Sequence, residues 1–248
     1  MGFRVAIPAR YAASRLPGKP LRLIHGRPML EYVFRQAQAS GADEVVVATD
    51  DERIREVAVG FGATVVMTSP DHASGTDRLA EVAEQLGWSA RQVVVNLQGD
   101  EPLMPPGLIR QVAENLQRFP AAGIATVAVP IASHEEVMDP NVVKVVCNGA
   151  GFALYFSRAA IPHCRDGLPP ADTLAGLYRR HLGLYAYRVE VLRRYPRLPP
   201  SPAEQRECLE QLRALHHGIA IHVQETAEIP PAGVDTEADL IRVSALLE

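Results

Sequence analysis

The chain has 248 residues, 47% of them hydrophobic and 22% charged, which is enough to bury a substantial core and ordinary for one globular domain or one domain with a sizeable insertion. Its net charge of −4 supplies no general basic field, which argues against a nucleic-acid-binding module or attachment to an anionic membrane. Only two of the 25 basic residues are lysines, Lys19 and Lys144, so each calls for a reason in an otherwise arginine-based cationic set.

The first hundred residues alternate two hydrophobic periods. Short β-branched runs at residues 3–8, 44–49, 64–67 and 92–97 read as strands buried on both faces. Between them, residues 28–39, 52–59 and 76–86 repeat their apolar side chains at helical spacing. Strand and helix in alternation predict a mostly parallel sheet with crossover helices, whose ligands lie beyond the carboxyl ends of the strands. From about residue 130 to 190 the order changes to short strand-like runs, 142–147, 152–156 and 181–187, read as an antiparallel insertion over the sheet edge. A helix is then expected from Ser201, with Pro202 at its first position and Glu204 completing a capping box; Leu209, Leu212 and Leu215 form its core stripe and Gly218 ends it. A strand at 219–224 and a last helix from Thr236 complete what is expected to be a single domain, residues 1–248. The apolar stretch 121–132 falls short of the roughly 18 residues of a membrane span, and no signal segment opens the chain, so a cytoplasmic protein is expected. Cys147, Cys164 and Cys208 lack a C-x-x-C spacing, and His216 and His217 would point about 100° apart on a helix, so neither set suggests a metal site.

Ligand chemistry is expected first just after Pro8, Thr49 and Leu97, where three of the strands end. The first strand runs into PARYAASRLPGKP, where Pro8 and Ala9 lead to Arg10, Arg15 and Lys19 around Gly18. Clustered cations beside a glycine suit a polyphosphate, although a solvated charged loop has the same composition. The segment is neither a Walker loop nor a dinucleotide fingerprint, because the glycine spacings fail. The fourth strand ends in NLQGDEP, which puts Asp100 where a phosphate-bound Mg2+ needs a carboxylate; a Gly-Asp turn is the alternative. Asp235 precedes the last helix, and because Thr236 with Asp239 can cap that helix, Asp235 remains available as a second carboxylate for metal-assisted displacement.

Taken in order, PARYAASRLPGKPL, ATDD, HASGTDRLAE, NLQGDEP, YFSRAAIP, RHLGLYAYR, LEQLR and GVDT span the chain and resemble the 3-deoxy-manno-octulosonate cytidylyltransferases, the CMP-Kdo synthetases. The resemblance implies a Rossmann-like nucleotidyltransferase fold, with helices on both sheet faces, that joins CTP and Kdo into CMP-Kdo and pyrophosphate for lipopolysaccharide synthesis, with Mg2+ and as a homodimer whose contacts include the insertion. It implies that Arg10, Arg15 and Lys19 face the triphosphate, that Asp100 and Asp235 hold Mg2+, and that backbone groups of the segment around Ser74, Gly75 and Arg78 read cytosine, where Gly75 and Thr76 also suit a helix start. It further implies that Gln98, Arg165, His181, Tyr185, Glu210 and Gln211 surround the sugar; His181 and Tyr185, four apart on a strand, share a face. Cytidylyltransferases for 8-amino Kdo or sialic acid, a metal-dependent glycosyltransferase and an inactive sugar-nucleotide sensor are the rival readings.

Overall fold

The computed structural model describes residues 2–12, 16–72 and 74–247. The first half alternates as its hydrophobic pattern predicts: β1 (Arg4–Ala9), a small hairpin of β2 (Leu23–Ile24) and β3 (Arg27–Pro28), α1 (Met29–Ala39), β4 (Glu44–Thr49), α2 (Glu52–Gly60), β5 (Thr64–Met67), α3 (Gly75–Gln85) and β6 (Val93–Asn96). Next come α4 (Pro106–Arg118), β7 (Ile124–Pro130), α5 (His134–Met138), β8 (Lys144–Cys147), β9 (Ala153–Ser157), β10 (Arg179–Arg188) and α6 (Val189–Arg194). The chain closes with α7 (Pro202–Glu207), α8 (Gln211–His216), β11 (Ile221–Glu225) and α9 (Glu237–Leu246).

The main sheet runs β11-β7-β10-β6-β1-β4-β5, with the β8–β9 hairpin branching from β10. All neighbours along that path are parallel except at β10, which runs antiparallel to β6 and β7. Alternate residues feed two cores: Val5 and Ile7 meet α1, α2 and α4 on one face, while Ala6 and Val94 meet α3, α6 and α8 on the other. Burial of both faces is what makes these strands read as continuous apolar runs.

Three expectations are corrected here. The stretch 121–132, read only as too short for a membrane, contains the interior strand β7, which is preceded by α4, a helix the periodicity did not suggest. The insertion does not merely lie over the sheet edge, because its last strand, β10, is wedged between β6 and β7. An antiparallel strand needs no helical crossover, so it enters the sheet directly, and hydrophobic pattern cannot reveal its neighbours. The helix expected from Ser201 has its capping box but breaks into α7 and α8 at Cys208, whose φ of 52° is left-handed.

This topology fixes where chemistry can occur. The chain builds outward from β1 to β4 and β5 and then returns to β6 on the other side of β1, creating a switch point between the carboxyl ends of β1 and β6. Tyr185 pairs with Asn96, the last residue of β6, so the amino-terminal half of β10 projects past β6 at the same edge. Reversal of that one strand therefore brings His181 and Tyr185 to the ligand edge of the parallel strands.

Candidate active site

One half of the cleft begins where β1 delivers Pro8, Ala9 and Arg10. The loop returns through Gly18, whose φ of 66° suits glycine and whose N–H donates to the Tyr11 carbonyl at 3.0 Å. A short 3-10 turn, Lys19–Leu21, with Pro20 at its start, then aims the Lys19 ammonium inward. Its Nζ donates to Asp100 Oδ2 at 2.6 Å and to Asp235 Oδ1 at 3.1 Å. Burial alone would lower the Lys19 pKa, but the two carboxylates outweigh it and raise it, so the lysine stays charged.

Two glycines allow these distant residues to meet. A Cβ at Gly99 would stand 2.9 Å from the Pro8 carbonyl oxygen, and one at Gly233 would stand 2.9 Å from the Asp100 carbonyl oxygen. The close approach at Gly233 is tied by Val234 N–H donating to Asp100 O at 2.9 Å, which sets Asp235 beside Asp100. As the sequence suggested, Thr236 and Asp239 form the capping box of α9.

Pro8, Ala9, Arg10, Lys19, Gly75 and Gln98 line a cavity of about 160 Å3 between these groups. Arg10 Nη2 is buried without a hydrogen-bond partner, and desolvation, with repulsion from Arg78, lowers the Arg10 pKa. A partly buried guanidinium with a buried, unused N–H beside a cavity suits an anion. Ser74 caps α3, with Asp77 completing the box, so that helix presents its amino end through Gly75 to the same cavity.

Gln98 also lines a second cavity, of about 80 Å3, with Thr76, Asn96, Tyr185, Tyr187, Glu210 and Gln211. Its side chain is oriented by donation from Nε2 to Asn96 Oδ1 at 3.1 Å. His181 lies beside this cavity: its ring is 5.2 Å from that of Tyr185, and its Nε2 is 2.9 Å from Thr126 Oγ1. The predicted shared face holds despite a register shift between Leu182 and Tyr185, because the shift is even. Burial holds the His181 imidazole down to about 3, so it is neutral. Burial also raises the Glu210 carboxyl, opposed by hydrogen bonds from Thr76 and Ser74, and its Oε1 is buried without a partner.

Other expected site residues fall differently. Arg15 lies outside the described residues. Arg78 is fully buried, donating to Asp50 at 3.0 Å and to Thr68, so its guanidinium braces the end of β4 rather than lining the cavity at Arg10 and Lys19. Arg165 is not in the cleft: its side chain is 91% exposed and pairs with Asp166 at 3.3 Å. Charge alone did not distinguish a cation facing a ligand from one with an acidic neighbour. Sequence reasoning did not single out Asn96 and Tyr187 as lining a cavity, although Tyr187 follows Tyr185 by two on one strand and so shares its face. Next to Asp100, burial of the Glu101 carboxyl, reinforced by that carboxylate, pushes it up to about 8, and its Oε2 has no partner.

Wider hollows occur elsewhere, of about 490 Å3 around Arg91 and Arg188 and about 580 Å3 around His72 and Arg193. The first opens at the amino ends of the parallel strands, away from the switch point, so converging charges mark the site better than volume does. Among the described residues no group of three or more His, Cys, Asp or Glu side chains is arranged to hold a metal.

A doubly wound sheet with a cationic loop and two facing carboxylates at its switch point defines the architecture of a nucleotide-handling α/β protein. The chain belongs to the cytidylyltransferase family, whose model matches residues 5–221. It is 56% identical to the 3-deoxy-manno-octulosonate cytidylyltransferase of Nitrosococcus oceani, with 100% of this chain and 97% of that protein covered. It is also 56% identical to that of Idiomarina loihiensis, over 99% of this chain and 98% of that protein. The solved structure of a CMP:2-keto-3-deoxy-manno-octonic acid synthetase complexed with CTP superposes with a TM-score of 0.91 at 44% identity, covering 100% of this chain and 98% of that one.

Proposed function

We propose that this chain transfers CMP from CTP to the anomeric 2-hydroxyl of Kdo, producing CMP-Kdo and pyrophosphate for lipopolysaccharide synthesis. The observation that carries the reading is the convergence of Lys19, Asp100 and Asp235 beside the unpartnered Arg10 Nη2. The triphosphate occupies the cavity at Pro8, Ala9 and Gly75, and the sugar occupies the one at Tyr185, Glu210 and Gln211. Gln98, common to both, marks where the hydroxyl oxygen meets the α-phosphorus. The hydroxyl gives up its proton to solvent as the new P–O bond forms in line and the bond to the β-phosphate breaks, and Arg10 and Lys19 stabilise the negative charge that collects on pyrophosphate. Most of the acceleration comes from positioning two bound reactants.

Asp100 and Asp235 fit a magnesium site: both are hard oxygen donors, and they face one another closely enough to share a single ammonium group. Bound there, Mg2+ supplies charge neutralisation at the phosphates and lowers the pKa of the attacking hydroxyl. A cytoplasmic homodimer completes the proposal. It is supported by the absence, among the described residues, of any helix long and apolar enough to cross a membrane, and by exposed Leu154 and Tyr155 on β9.

Pyrophosphate release from CTP and Mg2+ with Kdo, 8-amino Kdo or sialic acid tests the reading. Release with Kdo is expected, with loss of most turnover in Asp100→Asn and Asp235→Asn variants of unchanged fold. Near-normal kcat for Asp235→Asn at saturating Mg2+ would rule out the two-carboxylate site, and no release with any sugar would favour a sensor.

A further inference from the structure

The break between α7 and α8 is placed immediately before two residues of the sugar cavity. Cys208 adopts φ 52° and ψ 48°, a left-handed conformation that a Cβ disfavours, and the sequence offers no glycine there to suggest it. The surroundings enforce it from both sides. Upstream, Glu207 Oε1 accepts from Ser157 Oγ at 2.6 Å, its Oε2 accepts from Arg158 N–H at 2.9 Å, and its carbonyl accepts from Arg158 Nε at 2.7 Å. The Arg158 carbonyl in turn accepts from Lys144 Nζ at 2.6 Å. Downstream, the Glu210 carbonyl accepts from Tyr195 Oη at 2.7 Å, and Arg213 Nε reaches back across the break to Glu204 Oε2 at 2.9 Å.

Each residue of a continuous helix turns by about 100°, so a helix unbroken through 208 would present a different set of side chains to the core. With the kink, Leu209 and Leu212 stay in the core while Glu210 and Gln211 line the cavity. We propose that Glu207 and Cys208 are positioning residues of the sugar subsite: the clamp from β9 holds a left-handed kink that aims Glu210 and Gln211 at the acidic sugar. This rests on the reading that the cavity at Tyr185 and Glu210 takes Kdo.

The test is steady-state kinetics with each substrate varied in turn, with thermal unfolding run alongside. Glu207→Gln and Cys208→Val are expected to raise the KM for Kdo on the order of tenfold while leaving the KM for CTP within about twofold, as misplaced contacts would. Cys208→Gly, which admits the left-handed conformation freely, raises the KM for Kdo less than Cys208→Val does. Should Cys208→Val not fold, Glu207→Gln carries the comparison, since it preserves the size of the side chain. An unchanged KM for Kdo in folded Glu207→Gln, or a parallel rise in both KM values, overturns the proposal. Glu210→Ala separates the two layers of argument: if it leaves the KM for Kdo unchanged, the assignment of the sugar cavity itself is wrong and the proposal fails with it.

Discussion

Lys144→Met is the most direct test of how the second lysine is used. The Lys144 side chain is fully buried, and its ammonium donates to three main-chain carbonyls, those of Asp139 at 2.8 Å, Val142 at 2.6 Å and Arg158 at 2.6 Å. Three N–H groups meet three acceptors, so the donor capacity of the side chain is used in full. Methionine occupies a similar volume but donates nothing; the Asp139 carbonyl keeps a donor in Val142 N–H at 3.2 Å, while those of Val142 and Arg158 lose theirs. Each stranded buried group costs about 1–3 kcal/mol, so two at the middle of that range sum to roughly 4 kcal/mol. An offset exists, because burial lowers the Lys144 pKa: the charged form is disfavoured at this site, and methionine removes that penalty. A net loss of about 2–4 kcal/mol is expected. For a chain of this size about 3 kcal/mol corresponds to a fall in Tm of roughly 6–12 °C. Urea unfolding followed by circular dichroism, with ΔG extrapolated to zero denaturant, measures the loss, and Lys144→Arg should not restore it because a planar guanidinium cannot reproduce a compact three-way donor. A loss below about 1 kcal/mol for Lys144→Met would refute the three-carbonyl account.

Lys19→Arg keeps the charge but not the compact ammonium that both Asp100 and Asp235 contact, so kcat/KM for CTP at saturating Kdo should fall by at least about tenfold; a change within twofold would contradict the geometry. Gly233→Ala places a methyl 2.9 Å from the Asp100 carbonyl oxygen, and the forced shift of the adjoining Asp235 should lower kcat on the order of tenfold. Unaltered kcat in a folded Gly233→Ala protein would show that the close approach does not set the carboxylates. For His181, burial depresses the folded pKa to about 3 from an ordinary 6.5, so the unfolded chain takes up the proton first and stability falls as pH drops below 6.5. Comparing urea unfolding at about pH 7.5 and 5.5, His181 contributes a loss of about 1.4 kcal/mol that His181→Gln should lack; equal pH dependence in the two proteins would place the imidazole in a more solvated setting.

What could be read from the sequence follows from the range of the forces involved. Strands β1, β4, β5 and β6 were legible because burial on both faces leaves a local signature, a short β-branched run, and their alternation with helices then fixed the ligand edge. The start of α9 was legible because Thr236 and Asp239 stand at the spacing of a capping box. The seat of β10 was not legible, since a period of two says which side chains share a face but not which strands lie alongside. Arg78 and Arg165 show the same gap for charge: one is buried against Asp50 and the other stands in solvent, yet both are simply arginines near a predicted loop or helix start.

Cys208 is the clearest case of local rules being overridden. Every signal from Ser201 onward favours one amphipathic helix, and the capping box and leucine spacing are both present. At the break, contacts from Ser157 and Arg158, some fifty positions earlier, hold the Glu207 carboxylate, a long-range constraint that no local pattern announces. Lys144 belongs to the same set of contacts through the Arg158 carbonyl, so the two lysines of this arginine-rich chain support opposite halves of one cleft. Lys19 does so by direct contact with the carboxylates, and Lys144 does so by holding the Arg158 backbone, whose side chain donates to the Glu207 carbonyl beside the kink between α7 and α8.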